Sequence, residues 1–206
     1  MTLHRSDLKE RLLDAAEEVA LSCGISRLTF DAIALEAGIS KGGVLHHFWS
    51  KDQLIGAMVE RSARRWREFY MRAYHQTSEG PGRMARALLH SGFMEPDSWA
   101  EEMRRGFSSV LVALMHNQSL VRPVRETYEE LYRFLREDGL PEGVSEMIGA
   151  AFDGMWLHWA LHISDLDYAM LKRVHRALGK VLKDHCAMPK PGKPAPKAPE
   201  GTRTTA

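Results

Sequence analysis

The span Thr29–Lys51, TFDAIALEAGISKGGVLHHFWSK, constrains the fold more than any other stretch of the chain. Thr29 is placed to cap a helix by accepting a hydrogen bond from one of its free N–H groups. Phe30, Ile33, Ala34 and Ala37 follow at three- and four-residue spacing, so they share one face of that helix. Gly38 offers the positive φ at which a helix stops and the chain turns sharply. Ile39 is positioned to plug the crevice that results, and Ser40 to cap a second helix over roughly residues 41–48. Two short helices on a tight turn make a helix-turn-helix unit. From Ala37 to Lys51 there is no acidic residue, whereas Lys41, His46, His47 and Lys51 all lie there. A polyanion approaches such a face without charge repulsion. Spacing alone leaves open an ordinary helical hairpin whose charges face water.

Composition narrows the remaining classes. A chain of 206 residues with 44% hydrophobic and 27% charged content has the make-up of a globular protein with a real core. Cys23 and Cys186 are far apart without partner spacing, so neither a disulfide framework nor a zinc site is expected. No apolar run approaches the roughly twenty residues of a membrane span, and the polar start MTLHRSDLKE lacks a signal-peptide core. The expected location is the cytoplasm, with no membrane partner. Overall basicity cannot carry nucleic-acid binding here: the first sixty residues hold six Lys/Arg against nine Asp/Glu. The useful positive charge is local, and the acids Asp14, Glu17, Glu18, Asp31 and Glu36 are expected to point elsewhere.

Helical periodicity runs through the rest. Leu8, Leu12, Ala15, Ala16 and Val19 stripe a first helix over about 5–22, completing a three-helix head with the motif pair. Ser50 caps a long helix reaching about Tyr74, whose Arg-rich back half reads as a solvated face with Trp66, Phe69 and Tyr70 turned inward. Ser78-Glu79-Gly80-Pro81-Gly82 breaks the pattern. Helical stretches near 82–93, 98–116, 120–138, 142–163 and 165–186 follow. The expected organisation is a head over 1–50, a linker helix over 51–78, a body over 79–187 and a disordered Pro/Lys/Ala-rich tail over 188–206. No phosphate loop, nucleophile elbow or paired-carboxylate site stands out, so neither an enzyme nor a cofactor is expected. His158 and His162 stand one turn apart, but without an acidic or Cys partner they do not make a metal site.

The run from Gly38 to Phe48, followed by Ser50-Lys51-Asp52-Gln53-Leu54, closely resembles the recognition-helix signature of the tetracycline-repressor (TetR) family. The resemblance covers about fifty residues, from the Leu12–Ala16 run to Leu54. It departs at Leu45, where the family usually has a tyrosine that touches a DNA phosphate; that contact is absent or replaced here, with His46 the candidate replacement. The resemblance implies an all-α protein with a helix-turn-helix head and a helical body that binds a small effector and dimerises. Lys41, Gly42, Gly43, Val44 and His46 are the candidate major-groove residues, Val44 for a thymine methyl and Lys41 for a guanine edge or phosphate. Arg27, Thr29, Ser40, His47 and Lys51 are the candidate phosphate contacts. Protonation of either histidine near pH 6.5 is expected to tighten binding as pH falls.

Two further expectations concern the body. The stretch around Met147–Leu161 is apolar almost all round, and Met170, Leu171, Val174, Leu178, Val181 and Leu182 stripe the next helix. Together they suit a two-fold four-helix bundle between two chains, which lets two heads read a palindromic operator. Large and flexible side chains fill the body, and pockets between helices are common binding sites. Phe93, Trp99, Phe107, Met115, His116, Tyr128, Phe152, Asp153 and Trp156 are the candidate residues for a small, largely apolar effector. The expected function is a ligand-responsive homodimeric regulator, most simply a repressor. The alternatives are an effector-independent architectural DNA binder or, further off, an all-helical carrier or enzyme.

Overall fold

The computed structural model describes residues 5–94, 96–160 and 168–186, and all regular structure among them is helical. The head consists of α1 (Arg5–Cys23), α2 (Phe30–Ala37) and α3 (Lys41–His47). The long α4 (Lys51–Gln76) leads into α5 (Arg83–Met94), α6 (Pro96–His116), α7 (Arg122–Arg136), α8 (Val144–Ala160) and α9 (Tyr168–Cys186). The stretch expected as one helix over 120–138 instead begins as a 3-10 turn, Gln118–Val121, ahead of Pro123 near the start of α7. Proline lacks an N–H and suits a first helical turn, not an interior.

Local chemistry explains the head. Thr29 Oγ1 accepts from Ala32 N at 3.2 Å, Ser40 Oγ from Gly43 N at 3.2 Å, and Ser50 Oγ from Gln53 N at 3.1 Å. Each cap satisfies one N–H that the helix leaves without a partner. Gly38 adopts φ 67°, ψ 35°, the left-handed conformation that ends α2. The head core joins Leu12, Leu13 and Ala16 of α1 to Ile33 of α2 and Val44 of α3. Leu54, Ile55, Met58 and Val59 from the front of α4, and Val112 and Ala113 from the end of α6, complete the same cluster. The head is thus packed directly against the two helices that continue into the body.

The basic half of α4 differs from expectation. Trp66 and Phe69 are half-buried and Tyr70 is buried, as read from the pattern, but Arg61 is also buried, at 1% exposure. It binds Glu10 at 3.1 Å, Asp14 at 2.9 Å and the fully buried Glu17 at 2.7 Å, all on α1. Burial alone would push the Glu17 carboxyl well above the ordinary carboxylate range, and the Arg61 guanidinium partly offsets this. A charge pattern along one helix cannot reveal such a site, because the partners lie more than forty residues away.

A second core holds Tyr70, Met84, Leu88, Leu131, Leu135, Ile148, Phe152, Leu178 and Leu182. Asp138, which reads in sequence as a simple helix break, bridges this body. Its carboxylate accepts from Met84 N at 2.8 Å and Ala85 N at 2.9 Å, capping α5 from fifty residues downstream. Replacing Asp138 by alanine strands two buried N–H groups and is expected to cost about 2–4 kcal/mol. Urea denaturation of the variant against the parent protein measures it; a loss below about 1 kcal/mol would mean that water replaces the cap.

Candidate nucleic-acid interface and interior cavity

The outer surface of α3 is set by which residues its neighbours cover. Lys41, Gly42, Leu45 and His46 are exposed, and Trp49 just beyond the helix is 77% exposed. Val44, expected to touch a base, is fully buried and cannot do so. It lies one helical turn before Phe48, so the two share the inward face and join Ile33 and Ala34 in the head core. Leu45 is the outward apolar group instead. Gly43 is half-buried, and a Cβ there would stand 3.1 Å from Ile39 Cδ1, so its lack of a side chain serves the plugged turn. Gly42 meets nothing closer than Ser40 Oγ at 3.9 Å and faces open space.

Around this surface, Thr29, Phe30, Lys41 and Lys51 line a shallow cleft of about 310 Å³. Asp31 does not point away from it: its carboxylate pairs with Lys41 at 2.9 Å. Both partners are largely exposed, and such pairs contribute little, so an incoming phosphate can replace Asp31 on Lys41. Arg27 and Thr29 are exposed, Ser40 is committed to its cap, and His46 and His47 stand edge to face at 5.5 Å.

In the body, α4, α5, α6, α7 and α8 line a partly open cavity of about 70 Å³. Trp66, Phe107, Tyr128, Phe152 and Trp156 form aromatic walls, and Asp153 supplies a carboxylate. The ring of Trp66 meets Tyr128 edge-on at 6.2 Å, and Phe152 meets Trp156 at 6.0 Å. Tyr128 Oη donates to Asp153 Oδ1 at 3.1 Å and Tyr132 Oη to Oδ2 at 3.2 Å. Burial raises the Asp153 carboxyl above its ordinary range, against the two tyrosine hydrogen bonds that lower it. Burial and the facing carboxylate push the Tyr132 phenol up to about 12 and raise Tyr128 as well, so both hydroxyls remain protonated donors at neutral pH.

The cavity and the head share α4 and α6. Trp66 of α4 and Phe107 of α6 line the cavity. Near that level, Arg105 of α6 binds Glu18 of α1 at 2.8 Å. At the far end of α6, His116 Nε2 meets Asp52 Oδ1 at 2.7 Å and Asn117 Nδ2 donates to Asp52 Oδ2 at 3.0 Å. Asp52 sits in the first turn of α4, directly after the exposed α3.

Two family models match the chain. Residues 12–58 match the bacterial regulatory proteins of the tetR family, and residues 82–183 match the tetracyclin repressor-like C-terminal domain. The chain belongs to the TetR family. It is a DNA-binding transcriptional regulator. A curated relative, the HTH-type transcriptional regulator BetI of Stenotrophomonas maltophilia, is 27% identical over 160 residues, 74% of this chain and 81% of its own. A transcriptional regulator from Rhodococcus sp. Rha1 superposes with a TM-score of 0.68 at 21% identity, covering 88% of this chain and 99% of that one. The SmeT–triclosan complex superposes with a TM-score of 0.61 at 23% identity, covering 94% and 99%.

For this TetR-family chain, the cavity gathers five of the residues proposed from sequence: Phe107, Tyr128, Phe152, Asp153 and Trp156. Met115 and His116 fall outside it. They lie eight and nine residues beyond Phe107, about 12–14 Å along α6, where Met115 is 74% exposed and His116 faces Asp52. The side chains of Phe93 and Trp99, the residue His162 and the tail 188–206 lie outside the described residues. Pattern reading assigned no ligand role to Trp66, Tyr70, Leu88, Thr127 or Leu131, which also line the cavity. The Tyr128–Tyr132 spacing of one helical turn was the available signal for a paired hydroxyl site. Among the described residues, no cluster of three or more His, Cys, Asp or Glu is arranged to hold a metal, and no helix is long and apolar enough to cross a membrane.

Proposed function

We propose that this regulator is a homodimeric cytoplasmic repressor that leaves a palindromic operator when a small molecule fills the body cavity. The observation that carries the reading is the continuity of α4 and α6 from the cavity walls to the base of α3. An effector that favours one setting of these helices must change operator affinity by the same coupling factor with which DNA opposes effector binding. A coupling of about 3 kcal/mol corresponds to around 150-fold in operator affinity, sufficient for induction. Leu45 supplies the apolar groove contact in place of Val44, with Lys41, Gly42 and His46 beside it. Arg27, Thr29, His47 and Lys51 set the head on phosphates. Met147, Leu157 and Met170 leave apolar surface on α8 and α9 exposed in the single chain, in keeping with a bundle between two copies. No catalytic role is assigned to any residue.

Random-oligonucleotide selection yields the operator, and a preference for inverted half-sites is the expected result; equal binding of all sequences would favour an architectural role. Against that operator, Lys51→Ala is expected to lose about 1 kcal/mol per half-site, ten- to thirtyfold for the dimer, and to lower the salt slope by about two. His46→Ala is expected to weaken binding less. An unchanged slope in a salt titration removes Lys51 from the phosphate contacts. Sedimentation equilibrium showing a monomer at micromolar concentration would end the dimer reading.

A further inference from the structure

Asp153 is the one chemically demanding feature of the cavity among its described lining. The carboxylate is held by two neutral donors, Tyr128 at 3.1 Å and Tyr132 at 3.2 Å. No Lys, Arg or His is among the described residues lining the cavity. Glu17 is matched by Arg61 at 2.7 Å and Glu130 by Arg67 at 2.6 Å, while the buried Asp138 is held by the N–H groups at the start of α5. Among the described residues, Asp153 has neither a cation nor a helix N-terminus as a hydrogen-bond partner. A carboxylate taken from water without a cation costs several kcal/mol, which two phenol hydrogen bonds offset only in part. The position resembles one half of an ion pair whose other half is supplied from outside.

The walls specify the kind of cation. Trp66, Phe107, Tyr128, Phe152 and Trp156 present aromatic rings, whose faces attract a cation lying within about 6 Å. A primary ammonium such as a lysine head is compact and strongly hydrated, and it would leave more water behind than these rings replace. An alkylated or aryl ammonium is weakly hydrated, spreads its charge and buries apolar surface against the same rings. We infer that the cavity binds organic cations of this quaternary or aromatic ammonium class, with Asp153 as the counter-ion and the surrounding aromatic rings as a cage. The inference rests on the cavity being the effector site and specifies which chemistry that site accepts.

The test compares two probes of the same shape on the full-length protein without DNA. Benzyltrimethylammonium carries the charge, and its neutral isostere 2,2-dimethylpropylbenzene does not. Titrations are followed by calorimetry and by the fluorescence of the cavity tryptophans. The cation is expected to bind at least tenfold more tightly than the isostere. Asp153→Asn, whose Oδ1 still accepts from one tyrosine while its Nδ2 donates to the other hydroxyl, is expected to remove that preference while leaving the neutral probe within twofold. Equal or tighter binding of the neutral probe, no saturable binding of the cation, or an unaltered preference in Asp153→Asn would each overturn the inference. The comparison on the parent protein decides the matter even where the variant folds poorly. Adding the selected operator separates the two readings. Cation binding that leaves operator affinity unmoved overturns the effector role alone, whereas operator release by the neutral probe without cation binding overturns the cation site alone.

Discussion

Replacing Arg61 by alanine is expected to cost about 3–5 kcal/mol of folding stability, the range for removing one partner of a buried ion pair. Glu17 is fully buried and Arg61 is 1% exposed, so water cannot take over the vacated contact. Glu10 and Asp14 are about half-exposed and lose little, since solvent already reaches them. For a chain of this size the deficit corresponds to a melting temperature lower by roughly 6–20 °C. The sign with pH follows from Glu17. Its folded-state carboxyl is raised by burial, and losing Arg61 removes the largest influence that lowers it. Below the unfolded value the group is protonated in both states and the penalty disappears; it grows as pH rises above that value and levels off once pH passes the folded value. The deficit is therefore expected to be larger at pH 7.5 than at pH 5, as read from urea unfolding of parent and variant at each pH. The double variant Glu17→Leu with Arg61→Met removes both charges and should recover most of the loss. A deficit under 1 kcal/mol, or no recovery in the double variant, would show that the pair does not hold α1 to α4.

Gly42→Glu is expected to abolish operator binding while leaving the fold as stable as before, or slightly more so. Gly42 lies in the first turn of α3, its added Cβ meets only Ser40 Oγ at 3.9 Å, and its φ is not in the positive range. Any side chain there lowers the entropic cost of the helix by roughly 0.5–1 kcal/mol, and an acidic one suits a helix N-terminus. The same carboxylate would project from the exposed face beside Lys41 and His46 into the anionic duplex. At about 2 kcal/mol per half-site, comparable to a mismatched base pair, a dimer loses about 4 kcal/mol, close to a thousandfold. A gel-shift titration paired with a thermal melt separates the two effects. Operator affinity within threefold of the parent would place the DNA-reading face elsewhere on the molecule.

The contrast between Val44 and Leu45 shows how close a pattern can come without reaching the site. Both are apolar, adjacent and on the same short helix, and only one of them can face the core. Phe48 one turn after Val44 carried the answer, because residues four apart share a face. The helix-turn-helix was legible since its caps and turn bind within three or four residues: Thr29 to Ala32, Ser40 to Gly43, Ser50 to Gln53, and Gly38 through its own backbone. Among the described residues, most helix bounds in the body were legible for a similar reason, being marked by proline, glycine and the apolar repeat; the expected break at 164–165 lies outside the described residues. The cavity was legible in part. Aromatic residues on α7 and α8 announced a bulky interior, but how far α6 runs past that interior could not be read from its own pattern, so Met115 and His116 were assigned to it wrongly by position.

What nearest neighbours along the chain decide is the set of helices, their ends and the exposed basic turn, because hydrogen bonds three or four residues apart form wherever the right side chains stand. Folding in three dimensions decided the rest. Arg61 became an internal ion-pair partner 44 residues from Glu17, Asp138 became the cap of α5, and Asp153 came to face Tyr128 and Tyr132 across an aromatic cavity. In each case a charged group left the solvent, and whether that is tolerable depends on partners that only packing brings within hydrogen-bond reach.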